Sequence, residues 1–147
     1  MIPAALLEKA GRRLITIAQS ARLVTAAQAF DQPETRLMVV LDMAGAMVGV
    51  VSRTDIVARI SHCTGCSCTE PVAAAMTTDV KCCAPSDAVE GIWKWMKQTG
   101  FTHMPVLDSA RRPLGVLAAR DVLETLLEDR EHEESLLADY VSGIGYR

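Results

Sequence analysis

Apolar positions recur along the first half of the chain in an order that alternates between the periods of strands and helices. The run LITIA predicts a short strand, and a helix whose N-cap we place at Ser20 follows it. The apolar face of that helix consists of Leu23, Ala26, Ala27 and Phe30. The runs RLMVVLD and MVGVVS, separated by the turn-forming DMAGA, predict a β-hairpin, and residues 53–60 predict a second helix. The pattern therefore predicts a unit of strand, helix, strand, strand and helix.

The same order returns in the second half at a constant offset of 66 residues. The offset pairs Gly49 with Gly115 and Asp55 with Asp121, and it needs no gap. The second helical face consists of Val89, Ile92, Trp93 and Met96. HMPVLD and PLGVLA predict the second hairpin, and residues 119–127 predict its closing helix. Because a unit of about 50 residues buries too little surface to be stable alone, we expect an α+β fold in which the two units pack sheet to sheet.

These patterns divide the chain into five segments. We predict an N-terminal helix, a first repeat, a cysteine-containing linker, a second repeat, and an acidic C-terminal helix and tail. Their bounds are 1–12, 13–61, 62–75, 76–127 and 128–147. The charge run of the last segment is typical of a solvated helix face.

The composition restricts the kind of protein. The chain has 147 residues and is 50% hydrophobic, so it can bury a substantial core. Its formal net charge is −3 and it has no lysine- or arginine-rich run, so we expect no nucleic-acid partner. It has neither a secretory signal pattern nor an apolar run of about 18 residues. Its 5 cysteines are odd in number and do not predict a disulfide framework. We therefore expect a cytoplasmic protein with no membrane partner.

The stretch GVVSRTD, residues 49–55, combines groups suited to a phosphorylated sugar. A strand passes directly into a helix there, and a helix N-terminus attracts phosphate through its unpaired N–H groups. Gly49 lets another backbone or a ring approach closely, the Ser52 hydroxyl can donate to a phosphate oxygen, and the Asp55 carboxylate can accept from two ribose hydroxyls. Ser52 and Asp55 also fit the capping-box pattern, in which they serve only the helix. The presence of Asp121 in the second copy, where Ala118 replaces the serine, favours ligand binding over capping.

The two copies resemble the tandem cystathionine-β-synthase (CBS) domain pair from about residue 14 to residue 127. The resemblance rests on the order of elements, on HMPVLD, on AAMT at the opening of the second copy, and on Gly-apolar-apolar followed by aspartate at the close of each copy. It implies a pseudo-twofold pair of β-α-β-β-α repeats that assembles as a flat homodimer. It also implies that adenine nucleotides such as AMP, ADP, ATP or NAD bind in clefts between the copies. By this resemblance the protein regulates an unknown partner and is not an enzyme.

The resemblance also assigns roles to individual residues. Asp55 holds the ribose and Ser52 helps to hold the phosphate. The opening segment of the second copy supplies the walls around the adenine through Thr77, Thr78 and Val80. The stretch around HMPVLD lines the cleft in the family, so His103 is a candidate contact to phosphate or ring. A lone exposed histidine at a strand start is an equal alternative. The full predicted ligand-binding set is Gly49, Ser52, Arg53, Asp55, Thr77, Thr78, Val80, His103, Pro105, Arg120 and Asp121.

The two predicted clefts differ at the position of the hydroxyl. Ala118 stands where the first copy has Ser52, so the second cleft loses a contact worth on the order of 1 kcal/mol. Arg120 can supply compensating charge to a phosphate, or it can be simply solvated. We therefore expect the cleft of Ser52 and Asp55 to be the better formed of the two.

The stretch HCTGCSC in the linker supports an alternative function. Zinc takes four ligands in a tetrahedron, and Cys63 and Cys66 have half of a usual ligand spacing, with Cys68 and His62 nearby. A thiol redox switch and reduced thiols without a function are the other interpretations of these residues. The alternative prediction is therefore a metal- or redox-sensing module on the same scaffold, with no other cofactor required. The sequence has no Walker loop and no Gly-x-Ser-x-Gly motif, which agrees with a protein that is not an enzyme.

Overall fold

Helices and strands follow one another in the predicted order. The structure is a computed structural model, and it describes residues 1–61 and 69–131. Its helices are α1 (Ala4–Arg13), α2 (Leu23–Ala29), α3 (Arg53–Ser61), α4 (Val89–Thr99) and α5 (119–131), and its strands are β1 (Thr16–Ala18), β2 (Met38–Leu41), β3 (Met47–Val51), β4 (His103–Leu107) and β5 (Pro113–Ala118). A short 3-10 helix (Val72–Ala74) precedes the second unit. The predicted order of strand, helix, strand, strand and helix is confirmed in the first unit.

The two units carry equivalent sheets of different completeness. In the first sheet, β2 pairs in parallel with β1, where Ile17 faces Val40, and antiparallel with β3, where Val40 faces Gly49. In the second sheet, β4 pairs antiparallel with β5. The first strand of the second unit is reduced to an isolated parallel bridge between Cys83 and Val106, which repeats the pairing of Ile17 with Val40. The register of the two sheets therefore follows the repeat of the sequence.

Helix α2 begins later than the sequence predicted. Its N-cap is Arg22, two residues after Ser20, and within the described chain no side chain caps it. The N–H of Leu23 donates instead to the carbonyl oxygen of Glu70 at 2.8 Å. The prediction of Ser20 as N-cap is wrong because a segment distant in sequence supplies the acceptor, which local patterns do not reveal.

The opening segment of each repeat packs on the other repeat. Ile2, Leu6 and Ala10, at the start of the chain and in α1, are buried in the core of the second sheet. Conversely, Val72 is buried in the core of the first sheet, and Met76 packs against that core. Helix α1, predicted as a flanking element, is therefore part of the second core. The remaining buried members of the second core are Cys83, Val89, Ile92, Met96, Met104, Val106, Leu117 and Val122.

A separate cluster joins the two sheets. Val39 and Val50 of the first sheet are buried against Leu107 and Val116 of the second. The predicted packing of sheet on sheet is thus confirmed, and it holds the closing helices α3 and α5 in equivalent positions.

Two equivalent glycines allow the opening segments to cross over. A Cβ on Gly49 would lie 2.7 Å from the carbonyl oxygen of Thr77, and a Cβ on Gly115 would lie 2.5 Å from the carbonyl carbon of Ala10. Both separations are shorter than any normal contact of a methyl group. Next to Gly49, Val50 and Thr77 exchange two backbone hydrogen bonds of 2.9 Å and 2.8 Å. The predicted close approach of another backbone to Gly49 is confirmed.

Candidate functional site

The first candidate site lies where β3 passes into α3. The N–H of Ser52 donates to Oδ2 of Asp55 at 2.9 Å, and the Ser52 hydroxyl lies 3.1 Å from the same oxygen. The N–H of Asp55 points back to the Ser52 hydroxyl at 3.3 Å. The reciprocal hydrogen bonds of a capping box are therefore present. They use one carboxylate oxygen of Asp55 and leave acceptor capacity on the other, since an ionised carboxylate accepts about four hydrogen bonds.

The second repeat contributes directly to this site. The hydroxyl of Thr77 donates to Oδ1 of Asp55 at 3.2 Å. Pairing of the Thr77 backbone with Val50 beside Gly49 fixes this contact. Asp55 is half-buried and Thr77 is exposed, so a ligand can reach the carboxylate from solvent. A freely rotating hydroxyl is easily displaced by another donor, such as a sugar hydroxyl.

The neighbouring predicted residues are placed differently. The Arg53 guanidinium donates to the carbonyl oxygen of Phe30 at 2.7 Å and to that of Gln32 at 3.0 Å. It therefore binds the C-terminal end of α2, and none of its hydrogen bonds to described residues goes to the Asp55 carboxylate. Thr78 is exposed, whereas Val80 is half-buried and packs against the cluster between the sheets.

The second candidate site lies at the equivalent junction of β5 and α5. Here Asp121 accepts a forked hydrogen bond from Arg13, with Nε to Oδ2 at 2.6 Å and Nη2 to Oδ1 at 3.3 Å. The side chain of Asp121 is 9% exposed and that of Arg13 is 36% exposed. The hydrogen bond to Asp121 raises the pKa of the Arg13 guanidinium, against a smaller opposing effect of burial. In this second site one bidentate guanidinium, that of Arg13, occupies the role that the Ser52 and Thr77 hydroxyls have in the first site.

A cavity of about 350 Å³ opens beside this ion pair. That volume is within the range of small-molecule sites, about 300–1,000 Å³. Its lining residues are Lys9, Arg12, Arg13, Arg120, Asp121 and Glu124. Glu124 is shared by two of these cations, at 3.6 Å from Lys9 and 3.5 Å from Arg120. Four cations therefore face two carboxylates, and the cavity has a net positive charge.

His103 lies beside the same ion pair. It lines a smaller recess together with Arg13, Glu34 and Arg36. Burial lowers the pKa of His103, and the positive charges of Arg13 and Arg36 lower it further. The ring is therefore neutral at pH 7, and a ring nitrogen can either donate a hydrogen bond to a ligand or accept one from it. Pro105, two residues further along β4, is fully buried within the sheet.

The repeat pattern favoured the cleft of Ser52, and three basic residues of the other cleft, Lys9, Arg12 and Arg13, were not predicted. The predicted bounds placed the first two in the N-terminal helix and Arg13 at the start of the first repeat, whereas all three belong to α1. The repeat offset could have identified this segment. Arg13 precedes Asp79 by the same 66 residues, and Asp79 lies in the opening segment of the second copy, which was predicted to line the other cleft. The cavity lies at Asp121 because α1 delivers these side chains to that junction.

The cysteines of the described chain behave as packing residues. Cys83 is buried beside β4, to which its backbone pairs, and burial raises the pKa of its thiol to about 12. Burial also raises the pKa of the Cys82 thiol. Within residues 1–61 and 69–131, no group of three or more His, Cys, Asp and Glu side chains is arranged to hold a metal ion. The predicted cluster of His62, Cys63, Cys66 and Cys68 lies outside the described residues.

Comparison with known proteins connects this geometry to a family. The model of the CBS domain matches the chain twice, over residues 10–62 and 72–128. The chain belongs to the CBS-domain family. A 17.7 kDa protein of Acidianus ambivalens is 26% identical to this CBS-domain protein over 133 residues, which cover 90% of this chain and 79% of that one. Two curated enzymes also match, but the chain spans only 22% of the length of each.

Solved structures of the family share the fold. A structure of CBSX2 in complex with AMP is 21% identical, with a TM-score of 0.70, and the match covers 81% of this chain and 91% of that one. The CBS domain pair of protein MJ0100, in complex with 5′-methylthioadenosine and S-adenosyl-L-methionine, is 19% identical, with a TM-score of 0.67 and coverage of 84% and 96%. In the part of this CBS-domain protein that the structure describes, no helix is long and apolar enough to cross a membrane.

Proposed function

We propose that this CBS-domain protein is a regulatory module that binds an adenosine-containing ligand in the clefts between its repeats. CBS-domain proteins of this kind are generally regulatory. The observation that carries the proposal is the equivalent placement of Asp55 and Asp121. Each carboxylate stands in the first turn of a closing helix, and each faces the opening segment of the other repeat, through Thr77 and Arg13 respectively.

The chemistry of the two clefts supports a nucleoside ligand. A carboxylate held by hydroxyl or guanidinium donors can accept from the two vicinal hydroxyls of ribose once the ligand displaces those donors. Donors near each carboxylate, the half-buried Ser52 hydroxyl in one cleft and the exposed Arg120 in the other, are suited to phosphate oxygens. AMP, 5′-methylthioadenosine and S-adenosyl-L-methionine, which are bound in related CBS structures, all contain adenosine. AMP, ADP, ATP and NAD are the candidates we propose for this chain.

Ligand binding would regulate a partner only if the ligand has different affinities for two conformations. The clefts lie between segments that belong to different repeats, so a bound nucleoside would contact both repeats at once. We propose that it thereby favours one relative arrangement of the opening segments. The regulated protein would recognise that arrangement in the cytoplasm.

A thermal-shift screen against AMP, ADP, ATP, NAD and S-adenosylmethionine tests the proposal. A ligand at 100 times its dissociation constant should add about 2.7 kcal/mol to the free energy of unfolding for each site that it fills. We expect Asp55→Ala to lose the contribution of the first cleft, and Asp55→Ala/Asp121→Asn to lose the shift altogether. Each shift is measured against the same variant without ligand, because loss of the Asp55 cap alone costs about 1 kcal/mol.

Asp31→Ala is the matched control for this screen. It removes an exposed carboxylate that follows α2, and the shift should remain that of the unsubstituted protein. The proposal fails if none of the five compounds shifts the unsubstituted protein. It also fails if the double variant keeps the full shift, since the ligand would then bind elsewhere.

We further propose that the protein forms a homodimer through α3 and α5. Val57 on α3 is 64% exposed and its equivalent on α5, Leu123, is 37% exposed. Ile60 and Leu127 are also exposed on these helices, so both present apolar side chains to solvent. Such apolar surface on two equivalent helices is typical of an interface.

Molar mass measured by light scattering tests the dimer. The unsubstituted protein should have twice the mass of one chain, and Val57→Glu/Leu123→Glu should have the mass of one chain, because burial of two carboxylates in each partner is unfavourable. Met43→Glu, at a fully exposed apolar position in the β2–β3 turn, should leave the dimer intact. A monomeric unsubstituted protein would contradict this proposal.

A further inference from the structure

We propose that Arg13 competes with ribose for Asp121, so that the Asp121 cleft accepts phosphorylated adenosine ligands and rejects unphosphorylated ones. This inference rests on the proposed function and concerns the ligand class of one of its two clefts. It follows from the position of the Arg13 guanidinium, which lies where a sugar would bind.

The Arg13 fork uses the atoms that a ribose needs. Both carboxylate oxygens of Asp121 accept from Arg13, at 2.6 Å and 3.3 Å, and the side chain of Asp121 is only 9% exposed. A ribose diol cannot reach these oxygens unless the guanidinium moves away. Removal of the partner from a largely buried charge is strongly unfavourable unless another group replaces it. Ribose hydroxyls would replace the donors to Asp121, but they would leave the Arg13 charge without an anion.

A phosphate group would supply that anion. The cavity beside the ion pair is lined by Lys9, Arg12 and Arg120 in addition to Arg13. Glu124 is shared by Lys9 and Arg120, and the exposed Glu8 pairs with Arg12, so with Asp121 four cations still outnumber three carboxylates. A phosphorylated ligand therefore exchanges one charge-assisted pair for two contacts, ribose to Asp121 and phosphate to Arg13. Adenosine and 5′-methylthioadenosine offer no such exchange, and the positive charge of S-adenosylmethionine would be repelled by the lining.

The other cleft carries no equivalent barrier. Its carboxylate is held by the neutral hydroxyls of Ser52 and Thr77, which a sugar can replace without loss of a charge pair. The position equivalent to Arg13 is occupied by Asp79, which is exposed and acidic. Selection for phosphate is therefore a property of the Asp121 cleft alone.

Calorimetric titration with AMP and with adenosine tests this inference. The Asp55→Ala variant is used throughout, so that heat comes from the Asp121 cleft. We expect AMP to bind and the ratio of the dissociation constants, adenosine over AMP, to be large. In Asp55→Ala/Arg13→Ala, adenosine should gain affinity because Asp121 is uncovered, and AMP should lose it, so the ratio should fall by about tenfold or more.

Two further variants guard against a general effect of charge or folding. Asp55→Ala/Arg13→Lys keeps the charge and supports Asp121 without a fork, so it should fold and give an intermediate ratio. Asp55→Ala/Arg22→Ala removes an exposed arginine at the start of α2, outside the cavity lining, and should keep the full ratio.

The outcomes separate this inference from the proposed function. An unchanged ratio in both Arg13 variants would overturn the inference and leave nucleotide binding in place. The same conclusion would follow if AMP bound the unsubstituted protein but not the Asp55→Ala variant. Absence of binding to the unsubstituted protein would overturn the proposed function, and the inference with it.

Discussion

Replacement of Gly115 by alanine should destabilise the protein by about 2–3 kcal/mol, because the new methyl group has no room. The added Cβ would lie 2.5 Å from the carbonyl carbon, 2.7 Å from the oxygen and 2.8 Å from the Cβ of Ala10. All three atoms belong to α1 and none can rotate away, so the helix itself must shift from β5. Urea unfolding at one fixed protein concentration gives the change in the free energy of unfolding.

Gly91→Ala is the matched control for this substitution. Gly91 lies within α4, and apart from its chain neighbours and the nearby backbone of its own helix no described atom lies within 4 Å of the added Cβ. Since alanine is favoured over glycine inside a helix, this variant should be more stable by about 0.5–1 kcal/mol. Gly49→Ala should lie between the two, because two of its three close contacts are with the flexible Met76 side chain. Equal midpoints for Gly115→Ala and Gly91→Ala would mean that α1 does not pack against β5 as described.

The individual helices and strands could be predicted because each one is determined largely by a short stretch of sequence. Residues 53–60 were predicted to be helical, and α3 spans Arg53–Ser61. The apolar runs around DMAGA were predicted to form a hairpin, and β2 and β3 pair there in antiparallel register. Periodicity and turn residues are local properties, so they are readable without knowledge of the fold.

The exchange of opening segments could not be predicted in the same way. Leu6 is buried in the second core, and Arg13 binds Asp121 across 108 positions of the sequence. Nothing in the apolar pattern of α1 states which sheet it covers, since any amphipathic helix can cover either. The predicted start of α2 was wrong for the same reason, because the first N–H of this helix donates to the carbonyl oxygen of Glu70, which lies beyond the first repeat.

The candidate site residues show the same difference between local contacts, which could be predicted, and contacts set by the tertiary fold, which could not. The sequence identified Ser52 and Asp55 as neighbours, and the capping interpretation that it left open describes the contacts that form between them. It could not show that Arg53 is directed to the end of α2, because the direction of a side chain depends on which acceptors the fold brings near. Three of the four basic residues that line the Asp121 cavity come from α1, on which the sequence predicted no ligand-binding residue.

The crossed packing has a consequence for cooperativity. Each repeat has a core that is completed by the segment preceding the other repeat. Neither repeat can therefore unfold without exposing apolar side chains of the segment that precedes the other repeat. We expect the described chain to unfold as one cooperative unit, and a core substitution in α1 to lower the stability of the whole.

Leu6→Ala should destabilise the protein by about 3 kcal/mol. Leu6 is 1% exposed and is buried among side chains of the second sheet and α4, so truncation removes buried methyl groups and leaves a cavity. Because those neighbours are buried in one packed core of strands and a helix, little relaxation into the cavity is expected. Urea unfolding followed by circular dichroism measures the change in the free energy of unfolding. Tryptophan fluorescence reports on Trp93 and Trp95 of α4, and we expect it to give the same midpoint as circular dichroism if the chain unfolds as one unit.

Glu8→Ala on the same helix separates core packing from helix propensity. Glu8 is exposed and, among the described residues, its ion pair is with Arg12 of its own helix at 3.4 Å, so its loss should cost less than about 0.5 kcal/mol. Alanine also has the higher helix propensity, which further reduces the cost. If Leu6→Ala were as stable as Glu8→Ala, α1 would not be a component of the second core. In that case Arg13 would also lack the rigid support that holds its guanidinium against Asp121.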